Sequence, residues 1–113
     1  NIPGLKFRRI TDRQELADTL IFNFDSVDKT NEVATKMAEN GIGTKNLPDA
    51  LDWHFAGKWN HMFNDVEGYK KTWPVEWKKT ADLLERSISI PILCESTEAE
   101  MHEMAQNIIK QLK

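Results

Sequence analysis

The stretch "SISIPILCESTEAEMHEMAQNIIKQL", residues 87–112, constrains the fold more than any other part of the chain. Its first part reads as a β-strand over 87–93, with Pro91 at an edge or a strand end because proline offers no amide to a ladder. Its second part places Thr97 and Glu100 at the spacing of a capping box. Met101, Met104, Ala105, Ile108 and Leu112 then recur at helical intervals. A helix with one apolar stripe, directly after a strand, calls for a sheet to cover that stripe. The two methionines therefore read as core packing rather than as a promiscuous binding surface.

Upstream, "LKFRRI" (5–10) and "DTLIFNF" (18–24) read as strands joined by the polar "TDRQELA", the pattern of a hairpin. "DSVDKTNEVATKMAENGIG" reads as a helix capped by Ser26, with Asp28 at the positive end of its dipole. Val33, Ala34, Met37 and Ala38 form its apolar stripe. Gly41 is the expected left-handed C-terminal residue, with Ile42 folding back as its hydrophobic contact. "IGTK" has room for a short strand. "TWPVEWKKTADLLERS" reads as a further helix with Pro74 in its first turn and with Val75, Leu83 and Leu84 as apolar contacts. The order β-β-α-β, an irregular aromatic segment, then α-β-α predicts an α+β two-layer sandwich, a small and mainly antiparallel sheet packed against helices.

The length of 113 residues suits one domain with a single core. With 40% apolar and 29% charged residues, the composition is that of a folded soluble domain. A net charge of −3 with interspersed signs gives no footprint for nucleic acid or an anionic membrane. No apolar run approaches the roughly 20 residues of a membrane-spanning helix, and the start is not a signal peptide, so a cytoplasmic location is expected. The single cysteine, Cys94, excludes an intramolecular disulfide, suits a reducing compartment and reads as a small apolar strand-end residue. A start at Asn1 rather than at methionine is expected of a fragment or a processed product.

Candidate chemistry concentrates in "LPDALDWHFAGKWNHMF", residues 47–63. It holds four of the ten aromatic residues (Trp53, Phe55, Trp59 and Phe63) and two of the three histidines, His54 and His61. Two histidines beside the generic carboxylates Asp52 and Asp65 do not make a zinc site, and Pro48 and Gly57 argue against one regular helix. No metal site is expected, and His102, on the last helix, reads as structural. No serine lies in a nucleophile elbow, and "GIG" lacks the further glycines and basic residue of a phosphate loop. The chain shows no complete catalytic set. Arg8 and Arg9, adjacent on a strand, point to opposite faces; the plainest reading is of surface arginines at a strand edge, with one solvated and the other able to pair with a carboxylate or an anionic ligand. Arg86 complements the negative end of its helix.

"KMAENGIGTKNLPDALDWHFAGKWNHMF" followed by "LLERSISIPILCESTEAEMHEMAQNI" resembles the C-terminal domain of the DegT/DnrJ/EryC1/StrS family, sugar aminotransferases that depend on pyridoxal phosphate. The matching features are a helix ending in "ENGIGT", a loop bearing a histidine, and "SISIPI" leading into "STEAEM". "LKFRRITD" matches the entry into the small domain, whereas "QELAD" lacks the family's glycine before that aspartate. "NLPDALDWHFAG" is similar to the branch that makes the 8-amino derivative of a keto-deoxy-octulosonate. The resemblance implies that residues 1–113 are the small domain of a fold-type I aminotransferase whose catalytic large domain is absent. It also implies a homodimer when full length, with a keto-sugar and an amino-acid donor as substrates. The Schiff-base lysine and the cup for pyridoxal phosphate would belong to the large domain, so no cofactor and no activity are expected of this chain alone. His54, then Asn46, Trp53 and Arg8, would approach the sugar. The alternative is a stand-alone α+β module that binds a protein or a metabolite.

Overall fold

The computed structural model describes residues 2–12, 14, 18–46, 51, 53, 55–68 and 73–113, with the side chains of residues 46, 73 and 74 outside the description. Four strands, β1 (Lys6–Phe7), β2 (Thr19–Asn23), β3 (Lys45–Asn46) and β4 (Ser87–Pro91), form one sheet in the order β1-β2-β4-β3. Every pairing is antiparallel. Two long helices, α1 (Val27–Glu39) and a C-terminal helix over Glu98–Gln111, are joined by shorter pieces. These are a 3₁₀ turn (Ala56–Lys58), α2 (Asn60–Phe63), α3 (Trp73–Glu76) and α4 (Lys78–Leu84), which makes the C-terminal helix α5. The chain has the expected α+β architecture. None of the described helices is long and apolar enough to cross a membrane.

The register explains the core. Leu20 pairs with Ile90 and Phe22 with Ile88, which sets four apolar residues on one face of the sheet. Val33, Ala34 and Met37 of α1, with Ile108 and Leu112 from the C-terminal end of the chain, close over Phe22, Phe24, Ile88 and Ile90. Phe22 meets Phe24 edge to face at 5.9 Å, a geometry that adds to burial alone. Thr30 is fully buried as well, and its hydroxyl is satisfied by donating to the Ser26 carbonyl at 2.9 Å. Ala38, assigned to the stripe from its spacing, is exposed, so the buried face of α1 is narrower and shifted toward Thr30.

Local signals hold at both long helices. The Ser26 hydroxyl accepts the Lys29 amide at 3.2 Å, and Asp28 lies in the first turn. Gly41, at φ 73°, ends α1, and the amides of Gly41 and Ile42 return to the Ala38 and Met37 carbonyls at 3.0 and 2.9 Å. At α5 both halves of the capping box form. The Thr97 hydroxyl accepts the Glu100 amide at 3.3 Å, and the Glu100 carboxylate accepts the Thr97 amide at 2.8 Å. Those bonds to Thr97, backbone first and side chain second, hold the Glu100 carboxyl below the ordinary glutamate range.

Several expectations change. The first strand is two residues long rather than six, although the Arg8 amide still donates to the Ile21 carbonyl at 3.0 Å. Pro91 is the last residue of β4, a strand end, while β4 itself is central. Cys94 lies exposed in the turn after β4 instead of packing as an apolar strand-end residue. The helix predicted after residue 71 is broken at Trp77, whose backbone leaves helical geometry at φ −98°, ψ 19°. Val75 (78% exposed) and Leu83 (47%) do not supply the buried contacts assigned to them, and Leu84 is half-buried. Arg86 does more than face a helix end. Its guanidinium donates to the Asp82 carbonyl at 3.1 Å and across to the Phe24 carbonyl at 2.8 Å, fastening the end of α4 to the end of β2.

Replacing Thr97 by Ala removes the cap of α5 and is expected to cost about 1 kcal/mol in denaturant unfolding. Glu100→Gln is expected to destabilise at about pH 7 and to lose that effect at acid pH, once the depressed carboxyl is protonated. The sign follows from the depressed carboxyl: its contribution is complete above the ordinary glutamate range and disappears as pH falls through the folded-state value. An equal penalty at both pH values would show that the carboxylate is not the stabilising group.

Candidate functional site

The main core takes no described residue from positions 43–87. The radius of gyration, 16.4 Å, exceeds the roughly 13 Å of a compact domain of this length. The aromatic segment accordingly builds a second, smaller cluster of its own. Leu51 and Phe55 are buried, and the Phe55 amide donates to the Leu51 carbonyl at 3.0 Å. Phe55 meets Trp77 edge to face at 6.3 Å, and Trp59 stacks on Phe63 at 6.0 Å with 27° between the rings. Trp77 thus breaks one helix and covers the ring that anchors the segment.

Gly57 is buried directly under Phe55. A β-carbon there would come within 2.4 Å of Phe55 Cε1 and 2.7 Å of Cζ, so the 3₁₀ turn closes only because position 57 has no side chain. Backbone bonds carry the turn onward. Lys58 donates to the Phe55 carbonyl, Trp59 to Ala56, and Met62 to Trp59, at 2.9, 3.1 and 2.9 Å. Outside this cluster the segment presents apolar side chains to solvent, namely Trp53 (76% exposed), Met62 (61%), Val66 (52%) and Val75. The aromatic density is therefore divided between packing and surface.

The four sequence-predicted ligand residues are distributed unevenly. Trp53 is on the exposed surface. His54 lies outside the described residues, as do Pro48, Asp52 and part of "QELAD". Asn46 is the second residue of β3, in register with Ile88, and its side chain is outside the description. Arg8 is exposed at the β1 end of the sheet. Since β1 and β3 are the two edges, Arg8 and Asn46 are separated by three strand spacings, roughly 14 Å. The structure does not bring those two together. His61 is exposed on α2, and His102 is exposed on α5 with Nε2 2.8 Å from the Gln106 amide nitrogen. Among the described residues, no three His, Cys, Asp or Glu side chains come together as metal ligands.

Pyridoxal phosphate, implied by the resemblance, needs a lysine held in a closed pocket. None of the described lysines is buried. Those residues do not fit the cofactor, and no chemical step is assigned to it here. Sequence reasoning missed the partnership of Phe55 with Trp77 and the steric role of Gly57. A glycine two residues after an aromatic was the available signal for the second. No protein-family model matches the chain.

Gly57→Ala is expected to lower stability by roughly 1–3 kcal/mol, because the buried Phe55 ring must move to admit a methyl group. Near-ultraviolet circular dichroism should change with it as Phe55 and Trp77 separate. Unchanged denaturation and an unchanged aromatic spectrum would show that the ring adjusts freely.

Proposed function

We propose that this chain is the small, substrate-cleft-forming C-terminal domain of a pyridoxal-phosphate-dependent aminotransferase that transfers an amino group to a keto-sugar, a keto-deoxy-octulosonate being the favoured acceptor. The reading is supported first by where the family-like motifs fall. "ENGIGT" closes α1 through the left-handed Gly41 and leads to the edge strand β3. "SISIPI" is the central strand β4 and the residue after it, and "STEAEM" carries the capping box that starts α5.

The observation that carries the cleft-forming role is the exposed apolar surface of the segment around Trp53. Isolated exposed apolar residues are ordinary, but Trp53, Met62, Val66 and Val75 lie within residues 53–75, where Phe55 is buried and Trp59 and Phe63 are half-buried. In the proposed enzyme this surface meets the large domain and walls the sugar site. His54 exchanges a hydrogen bond with a sugar hydroxyl, Trp53 packs on the ring's apolar face, and Asn46 contributes from the neighbouring edge strand. Arg8 belongs to the same proposed set but is the member least favoured by the sheet order, which leaves it on the far edge. The cofactor and its lysine belong to the large domain in this reading, the intact enzyme is a homodimer, and it works in the cytoplasm with an amino-acid donor.

The same exposed side chains would serve a stand-alone module that binds another protein, because aromatic anchors dominate such contacts. The reading frame before Asn1 separates the two. A large domain with a cofactor-binding lysine supports the aminotransferase, and an unrelated start abolishes it. In the complete enzyme, His54→Ala is expected to lower kcat/KM for the acceptor sugar by at least about tenfold, a loss of about 1.4 kcal/mol in transition-state binding, and to leave the amino-donor half-reaction nearly unchanged. Equal losses in both half-reactions would make His54 structural. Borohydride treatment of the 113-residue chain with pyridoxal phosphate should leave no stoichiometric lysine-linked product. Recovery of one would place the cofactor on this domain and refute the assignment.

A further inference from the structure

Leu51 and Phe55 are as deeply buried as Ile108 and Leu112, yet they stand outside the cluster that the sheet shares with α1 and α5. What encloses them is local. The 3₁₀ turn packs chiefly against α3, and the Phe55 ring meets Trp77. The backbone amides of Phe55, Lys58, Trp59, Met62 and Val66 all donate to carbonyls three or four positions back. The sheet is held in the opposite manner. The Phe24 amide donates to Arg86 and the Ile92 amide to Asp18, at 2.9 and 2.7 Å, between residues far apart in the chain.

Trp77 marks the boundary between the two bodies. The helical backbone breaks there, and beyond it α4 is tied to the sheet. Arg86 donates to the Phe24 carbonyl at 2.8 Å, and the Ser87 hydroxyl donates to the Leu83 carbonyl at 2.7 Å. A small body with few buried residues and short-range backbone bonds opens at a lower free energy than a sheet joined by long-range pairing. The closed form is nonetheless specific, since Phe55 lies over Gly57 at a separation that no β-carbon would tolerate.

We propose that the aromatic cluster of Leu51, Phe55, Gly57 and Trp77 opens and closes as its own cooperative unit while the sheet, α1 and α5 stay folded. In the closed form Trp53 and Met62 are presented to solvent beside a packed turn. In the open form Phe55 and Trp77 join the apolar surface. A partner that binds only the closed form shifts the population toward it and so orders the unit on contact. The inference rests on packing alone and holds whether that partner is a large domain or a separate protein. Failure of His54→Ala to separate the half-reactions would leave it untouched.

The four tryptophans, at positions 53, 59, 73 and 77, supply the probe, because none belongs to the main core. The test on the 113-residue chain joins native-state hydrogen exchange by NMR to urea unfolding followed by tryptophan fluorescence and far-ultraviolet circular dichroism. The amides of Phe55, Lys58, Trp59 and Met62 are expected to share one opening equilibrium, at least about tenfold more populated than that of Phe22, Phe24 and Ile90. Fluorescence should accordingly change at lower urea than circular dichroism. Gly57→Ala should speed exchange in the first group by at least about fivefold, up to complete loss of protection, and leave the second unchanged. Ile88→Val, which trims the main core, should do the reverse, by about fivefold in the second group. One common opening equilibrium for both groups, or coincident urea transitions, overturns the proposal. So does absence of protection in the first group of the unsubstituted chain, or a substitution that moves both groups alike.

Discussion

Five residues of β2 and five of β4 pair in one unbroken antiparallel register, and both covering helices and both edge strands take their positions from it. The register assigns Leu20, Phe22, Ile88 and Ile90 to one face, and burying a side chain of this size contributes about 1.5–3 kcal/mol. The amphipathic helices then have one surface to cover, with Met37 and Val33 of α1 completely enclosed. On the opposite face the same alternation sets Ile21 and Asn23 beside Ser87 and Ser89, a smaller and more polar surface. A slip of one residue would exchange the two faces, so the core and the more polar face opposite are fixed by a single choice.

Charge is arranged mostly along the exposed side of the elements. Glu32 bridges Lys29 and Lys36 on α1 at 3.0 and 2.6 Å, which lowers its carboxyl from the ordinary range. Exposed pairs of this kind contribute little to stability. Their effect here is to neutralise one another along the exposed surface of α1.

The parts of the fold legible in the sequence were those decided within a few residues of themselves. Ser26, the Thr97–Glu100 pair and Gly41 act on amides and carbonyls of the same turn, and all three perform as their spacing indicates. The antiparallel pairing of β1 with β2 was legible from two β-forming runs joined by a polar connection, although β1 is shorter than its run. Properties set by distant partners were not legible. Trp77 breaks its helix while facing Phe55, over twenty positions earlier in the chain, and helical spacing alone carries no trace of that ring. Arg86 reaches Phe24, its neighbour one step beyond the β2–β4 register, for a similar reason. At the candidate site, the sequence revealed a concentration of aromatics without revealing its division into packed and exposed members. It also could not give the strand order, which sets Arg8 and Asn46 at opposite edges.

The small cluster of Leu51, Phe55, Gly57 and Trp77 lies apart from the main core. Its separation has an evolutionary consequence. A recognition surface mounted on its own hydrophobic anchor can change its outward residues, Trp53 and Met62 among them, without repacking the sheet. Selection for a new ligand or contact would then act on a few solvent-facing positions, while Gly57 and the two rings that enclose the turn remain under a separate constraint to keep it closed.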